Sequence, residues 1–117
     1  LFIDYALNDQ GIGLERAKMA WEKMISIALK KGIKVILLSP SPDQRVNILE
    51  TNNVLERHTW QIKNLAEKYN TGLADSYGLF RQKVLSGESI SNYMSQVNHP
   101  NENGHALIAG AIMRYFK

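Results

Sequence analysis

The stretch IKVILLS, residues 33–39, constrains the fold more than any other part of the chain. From Val35 to Leu38 its apolar residues follow one another instead of alternating, the pattern of a parallel strand covered on both faces. SPSPD, residues 39–43, ends it, because prolines cannot continue a ladder of backbone hydrogen bonds. Before it, Leu14, Ala17, Trp21, Met24, Ile25 and Ala28 recur at steps of three and four, one apolar stripe of a helix. Lys30 and Lys31 suit the negative end of that helix, and Gly32 is its expected stop.

The rest of the chain repeats this alternation. LFIDYA, residues 1–6, reads as a strand that ends at the loop LNDQGIG. A second helix is expected from about Asn52 to Tyr69, with Leu55, Ile62, Leu65, Ala66 and Tyr69 on its buried side. TGLADS, residues 71–76, is a third strand candidate. Asp75 or Ser76 could cap the following helix, which passes Leu79, Phe80 and Val84 and breaks at Gly87. A last helix is expected from about Glu102 to Phe116, with Leu107, Ile108, Ala111, Ile112 and Tyr115 facing inward. Strands alternating with helices imply an α/β fold with parallel strands and right-handed crossovers. Ligands bind such sheets beyond the carboxyl ends of the strands. That rim comprises Leu7–Gly13, Ser39–Asp43 and the region after Asp75.

Composition narrows the function. With 117 residues the chain is one domain at most, and its 44% hydrophobic content is that of an ordinary globule. A net charge of +3 without an arginine-rich run gives no support for nucleic-acid binding. No apolar run reaches the length of a membrane span, and no signal peptide opens the chain, so a soluble protein, cytoplasmic or secreted, is expected. There is no cysteine, which removes disulfides and thiolate chemistry. The three histidines lack metal-ligand spacing, so neither a metal nor a cofactor is expected. The chain opens on Leu1 inside an apolar run, from which we expect an N-terminal portion of a larger protein to precede it.

Two stretches stand out on the rim. Asn8 and Asp9 follow the first strand, where they could simply make a turn and cap a helix. Alternatively, the Asn8 amide could donate to a developing oxyanion from a rigid strand end. In VNHPNENGH, residues 97–105, Pro100 confines His99 to extended backbone, and Asn98 and Asn101 can pin the turn. A histidine so held is either an inert loop residue or a general base. His105 is expected to pack or cap, and His58 has no evident partner.

LND after a strand and NHPNENGH before a terminal helix resemble blocks III and V of the SGNH (GDSL-like) hydrolases, which are esterases and acylhydrolases. The resemblance covers essentially the whole chain, because IKVILLSPSP and TGLADSYGLF fall where that family places its fourth and fifth strands. It implies a flavodoxin-like three-layer α/β/α fold, with residues 1–117 as the C-terminal part of a single hydrolase domain. It further implies that Asn8 is an oxyanion-hole donor and that His99 activates a serine for ester hydrolysis, with small esters or acylated carbohydrates as substrates. The SPSPD and 86–96 segments would line the pocket. The family's GDS serine and its block II glycine are not in this sequence. Ser76, in the one Asp-Ser pair, follows the wrong strand to be the nucleophile. The acid that usually precedes the histidine is replaced by Ser95 and Gln96, so the Gln96 side chain or a backbone carbonyl would have to hold the ring. The N-terminal portion would then pair with the LFIDYA strand, or the chain would self-associate through it.

Two other readings belong to different classes. A degenerate hydrolase could keep the pocket as a carbohydrate- or ligand-binding module without chemistry. A receiver-like signalling domain would want an acidic cluster at the strand ends, where Asp9, Asp43 and Asp75 are scattered.

Overall fold

In the computed structural model, which describes residues 1–116, the IKVILLS run supplies the central strand of a three-stranded parallel sheet. The strands are β1 (Phe2–Ile3), β2 (Ile36–Leu38) and β3 (Gly72–Ala74), in the order β1-β2-β3. Phe2 stands opposite Ile36, and Leu37 opposite Leu73. The helices are α1 (Ala6–Asp9), α2 (Leu14–Lys30), α3 (Val54–Tyr69), α4 (Ser76–Leu85) and α5 (Glu102–Met113), with a 3₁₀ turn at Ile90–Tyr93 before α5.

The unbroken apolar run is explained by what each face meets. Val35 and Leu37 pack with Trp21, Ile25 and Ala28 of α2 and with Ile62, Leu65 and Ala66 of α3. The intervening Ile36 and Leu38 turn to the opposite face, where they meet Leu79 of α4 and Ile108, Ala111 and Ile112 of α5. Successive strand residues point to opposite sides, so a strand between two helical layers must be apolar at every position. Leu37 is fully buried, and truncating it to alanine would cost about 2–5 kcal/mol. A third apolar cluster closes the rim above the sheet. It draws Leu7, Ile48, Leu55, Tyr77, Phe80 and Tyr93 together from five separate segments.

Local chemistry sets the helix ends. Gly32 adopts φ 72° after α2, letting Ile33 donate back to the Ala28 carbonyl at 2.9 Å. Asn70 does the same after α3 with φ 52°, and Thr71 donates to Ala66 at 3.0 Å. Asn53 caps α3 through the Glu56 N–H, and Asp75, not Ser76, caps α4 through the Gly78 N–H.

The structure departs from the sequence reading at both ends of the chain. LFIDYA is extended only at Phe2–Ile3. Tyr5 starts a helical turn, with the Asn8 and Asp9 amides donating to its carbonyl, because the buried Asp9 carboxylate accepts from Trp21 Nε1 at 2.7 Å. The final helix ends at Met113. Tyr115 is exposed instead of facing inward, and its hydroxyl engages the backbone of Leu73. Met24, placed on the apolar stripe of α2, is also exposed.

Candidate active site

Asn8 sits on α1, directly beyond the carboxyl end of β1. The turn is held from two sides: Ala6 is buried in the main core and Leu7 packs into the rim cluster. The Asp9–Trp21 hydrogen bond fixes its last residue. Asn8 is the exposed residue of this anchored turn, and its side chain has no hydrogen-bond partner among the described residues.

His99 is held differently. Its carbonyl accepts from the Ser95 N–H at 2.8 Å, the Gln96 N–H at 3.2 Å and the Ser95 hydroxyl at 3.1 Å. Pro100 pairs with Met94 in an antiparallel bridge. Asn101 then caps α5, accepting from Gly104 N–H at 3.0 Å while its amide donates to the Asn92 carbonyl at 2.9 Å. The glycine of the HPNENGH string is a packing requirement. A Cβ on Gly104 would lie 2.3 Å from the Tyr93 carbonyl oxygen and 2.8 Å from Pro100 Cβ. The backbone around His99 is therefore fixed by at least six polar contacts and one close approach. Its imidazole is exposed and makes no hydrogen bond among the described residues.

The loop after β2 is tied to the second of these segments. Gln44 donates from its backbone to Val97 at 2.7 Å and from its side chain to Gln96 at 3.0 Å. On the other side, the Gln10 side chain stands beside Asp43. Asp43 is buried and grips Arg45 through Nε at 2.9 Å and Nη2 at 2.6 Å. The Arg45 hydrogen bond outweighs burial and holds the Asp43 carboxyl below its ordinary value. Asn8 follows β1 directly, and Gln44 ties the segment before His99 to the loop after β2. Sequence reasoning placed SPSPD on this rim but missed the tie. Asp43 and Arg45 are two residues apart, a spacing with no distinctive signature, and the long-range partners leave no local period.

The other polar residues on the rim are engaged in the fold. Ser39 is buried, donates to Asp75 Oδ1 at 2.8 Å and accepts from the Tyr77 N–H at 3.0 Å. Asp75 also faces Lys63 Nζ at 3.1 Å. Ser76 is buried and leaves its hydroxyl unpartnered. The expected holder of the imidazole is not in place: the Ser95 hydroxyl bonds the His99 and Pro100 carbonyls, and the polar bonds of Gln96 run through its backbone. His58, given no role from the sequence, is buried beneath the rim with Nε2 unpartnered; burial lowers its pKa. His105 is exposed. Among the described residues no group of three or more His, Cys, Asp and Glu could hold a metal ion. No helix there is long and apolar enough to cross a membrane.

No protein-family sequence profile matches the chain, and no curated protein matches it by sequence. Solved structures do. A lipolytic protein of the G-D-S-L family from Veillonella parvula superposes with a TM-score of 0.73 at 21% identity, over 94% of this chain and 58% of its own. A catalytic mutant of an acetylxylan esterase from Geobacillus stearothermophilus gives a TM-score of 0.67 at 18% identity, over 88% of this chain and 47% of its own. The acetylxylan esterase itself gives 0.60 at 21% identity, over 78% and 42%. This chain therefore spans between 42% and 58% of the length of these proteins. At these identities the likeness is one of fold, and over nearly all its length the chain has the α/β/α fold of the G-D-S-L lipolytic hydrolases.

Proposed function

We propose that residues 1–117 are the C-terminal part of a single SGNH-type hydrolase domain, contributing the general base and one oxyanion donor to ester hydrolysis. The observation that carries this reading is a contrast in how side chains are used on the rim. Asn8 and His99 have anchored backbones and unengaged, exposed side chains. Asp9, Ser39, Asp43 and Asp75 are all tied into the fold. A rigid backbone carrying a polar group that the fold itself does not use is one requirement of a preorganised site.

In this reading a serine from outside residues 1–117 attacks the ester carbonyl while His99 takes its proton. The negative charge that develops on the carbonyl oxygen is met by the Asn8 amide and backbone N–H groups. Collapse expels the alcohol, which receives the proton from His99. Water then repeats the sequence on the acyl-serine, releasing the acid and restoring the serine. Small esters and acylated carbohydrates are the substrate class, supported by the esterases that share the fold. The N-terminal portion of the same protein, or a second copy, would pair with the open edge of β1, where Leu1, Phe2 and Tyr5 are exposed.

Kinetics of the complete protein with p-nitrophenyl acetate test this. His99→Ala is expected to remove nearly all activity, Asn8→Ala to cost roughly 10²–10³ in turnover, and Gln96→Ala to cost less than either. A second reading, a ligand-binding module without chemistry, draws on the absence of any hydrogen bond to the His99 ring among the described residues. A wild-type protein without esterase activity would favour that module, and a His99→Ala variant as fast as wild type would end the proposal.

A further inference from the structure

Away from the rim, the outer faces of α2 and α3 enclose a groove of about 430 Å³ that the proposed chemistry does not use. Its α3 wall is one helical stripe, Arg57, Trp60, Asn64 and Lys68, at steps of three and four. Lys18 faces it from α2, and the Gln61 amide braces the two walls by donating to the Leu14 carbonyl at 2.8 Å. Three features set this groove apart. First, the Trp60 side chain is 59% exposed, whereas the chain's other tryptophan, Trp21, is 2% exposed and hydrogen-bonded. Second, no carboxylate lines the groove among the described residues. Third, Lys68 is neutralised by Glu22 at 2.7 Å, but Lys18 and Arg57 form no ion pair among the described residues.

An exposed indole offers a flat stacking face, and the cations beside it attract negative charge. Lys63 Nζ lies over the ring, 5.5 Å from its centroid, so a ligand would stack on the opposite face. The occupant must then present a flat, partly apolar face next to an anion and accept hydrogen bonds from the Asn64 amide and the cations. We propose that this groove binds an acidic saccharide, a uronate-bearing segment of a carbohydrate chain. The sugar's C–H face lies on Trp60, and its carboxylate meets Arg57 and Lys18. A nucleic acid fits less well, because a net charge of +3 with one stacking aromatic offers little to a phosphate backbone. Position supports a polymeric ligand. Leu14 and Arg57 belong to the first turns of α2 and α3, which begin at the rim carrying Asn8 and His99. A chain acylated at the rim site can continue down the groove.

The choice of a carbohydrate rests on the esterase reading, and the experiment separates the two. The complete protein is titrated with tetragalacturonic acid, with xylotetraose and with a short oligothymidylate in a calorimeter, and emission of the buried Trp21 reports that each variant is folded. The expected result is a saturable heat with tetragalacturonic acid that Trp60→Phe abolishes. Arg57→Ala and Lys18→Ala together should weaken binding by about tenfold or more, and xylotetraose should bind more weakly. No saturable heat, binding unaffected by the Arg57 and Lys18 substitutions, or tighter binding of oligothymidylate overturns the inference. Hydrolysis without saccharide binding removes the groove assignment alone, and saccharide binding without hydrolysis removes the esterase reading alone.

Discussion

The two edges of the sheet are finished in opposite ways. At β3, Gly72 and Ala74 bond to β2, which turns the N–H and C=O of Leu73 outward. The chain returns to cover both: Leu73 N–H donates to the Tyr115 hydroxyl at 2.7 Å, and that hydroxyl and Arg114 Nη2 each donate to the Leu73 carbonyl at 2.8 Å. At β1, Leu1 bonds to β2 through Ile36 N–H at 2.9 Å, so Phe2 presents the outward groups. No side chain among the described residues closes them. Beside that edge lies a hollow of about 490 Å³ lined by Phe2, Tyr5, Trp21 and Met24. An edge whose outward groups are bonded to its own side chains resists further pairing; an apolar edge with free groups invites it. Among the described residues, β3 is closed by side chains of its own chain, whereas β1 is left open.

The largest effect expected from this difference is on assembly. The chain by itself should associate through β1, and Phe2→Lys should return it to the mass of one chain in light scattering. A wild-type chain that is monomeric at high concentration would contradict the asymmetry. Next comes the closed side. Gly104→Ala forces a methyl group onto the Tyr93 carbonyl, displaces the first turn of α5 and should lower stability by about 1–3 kcal/mol in denaturant unfolding. Tyr115→Phe removes only the hydroxyl that closes β3. It should cost about 0.5–1.5 kcal/mol, since water can partly replace it, and should create a second route of association. Unchanged stability and mass in that variant would mean that the closure at β3 does not matter.

The smallest effect concerns His58, buried under the β1 side of the rim. Burial, partly opposed by Asp9, lowers its pKa in the folded chain. Below the ordinary histidine value of about 6.5 the unfolded chain therefore binds the proton first. Its contribution to stability is complete above that pH and declines as the pH falls. Thermal unfolding at about pH 7.5 and 5.5 should show a smaller acid loss in His58→Gln than in wild type. Equal losses would assign the acid sensitivity elsewhere.

What could be read from the sequence was local and periodic. Val35–Leu38 announced a doubly covered strand, and the stripes of α2 and α3 announced their helices. Asn101 and Gly104 in HPNENGH are explained by their own cap and close approach, three residues apart. The helical turn at Asn8 was not legible, because it is fixed by Asp9 reaching Trp21 twelve residues away. The early end of α5 was hidden for the same reason: Tyr115 continues the apolar spacing, yet its hydroxyl bonds a strand forty-two residues distant. The burial of His58 and the tie from Gln44 to Gln96 and Val97 depend likewise on partners brought close only by folding.

If residues 1–117 carry the base and an oxyanion donor for a serine that lies elsewhere, a fluorophosphonate reacted with the complete protein, and its adduct located by mass spectrometry, will show that serine. One labelled serine outside residues 1–117 is expected, with labelling abolished by His99→Ala. An adduct on Ser39, Ser76 or any other serine of this chain, or labelling undiminished by His99→Ala, would contradict this assignment.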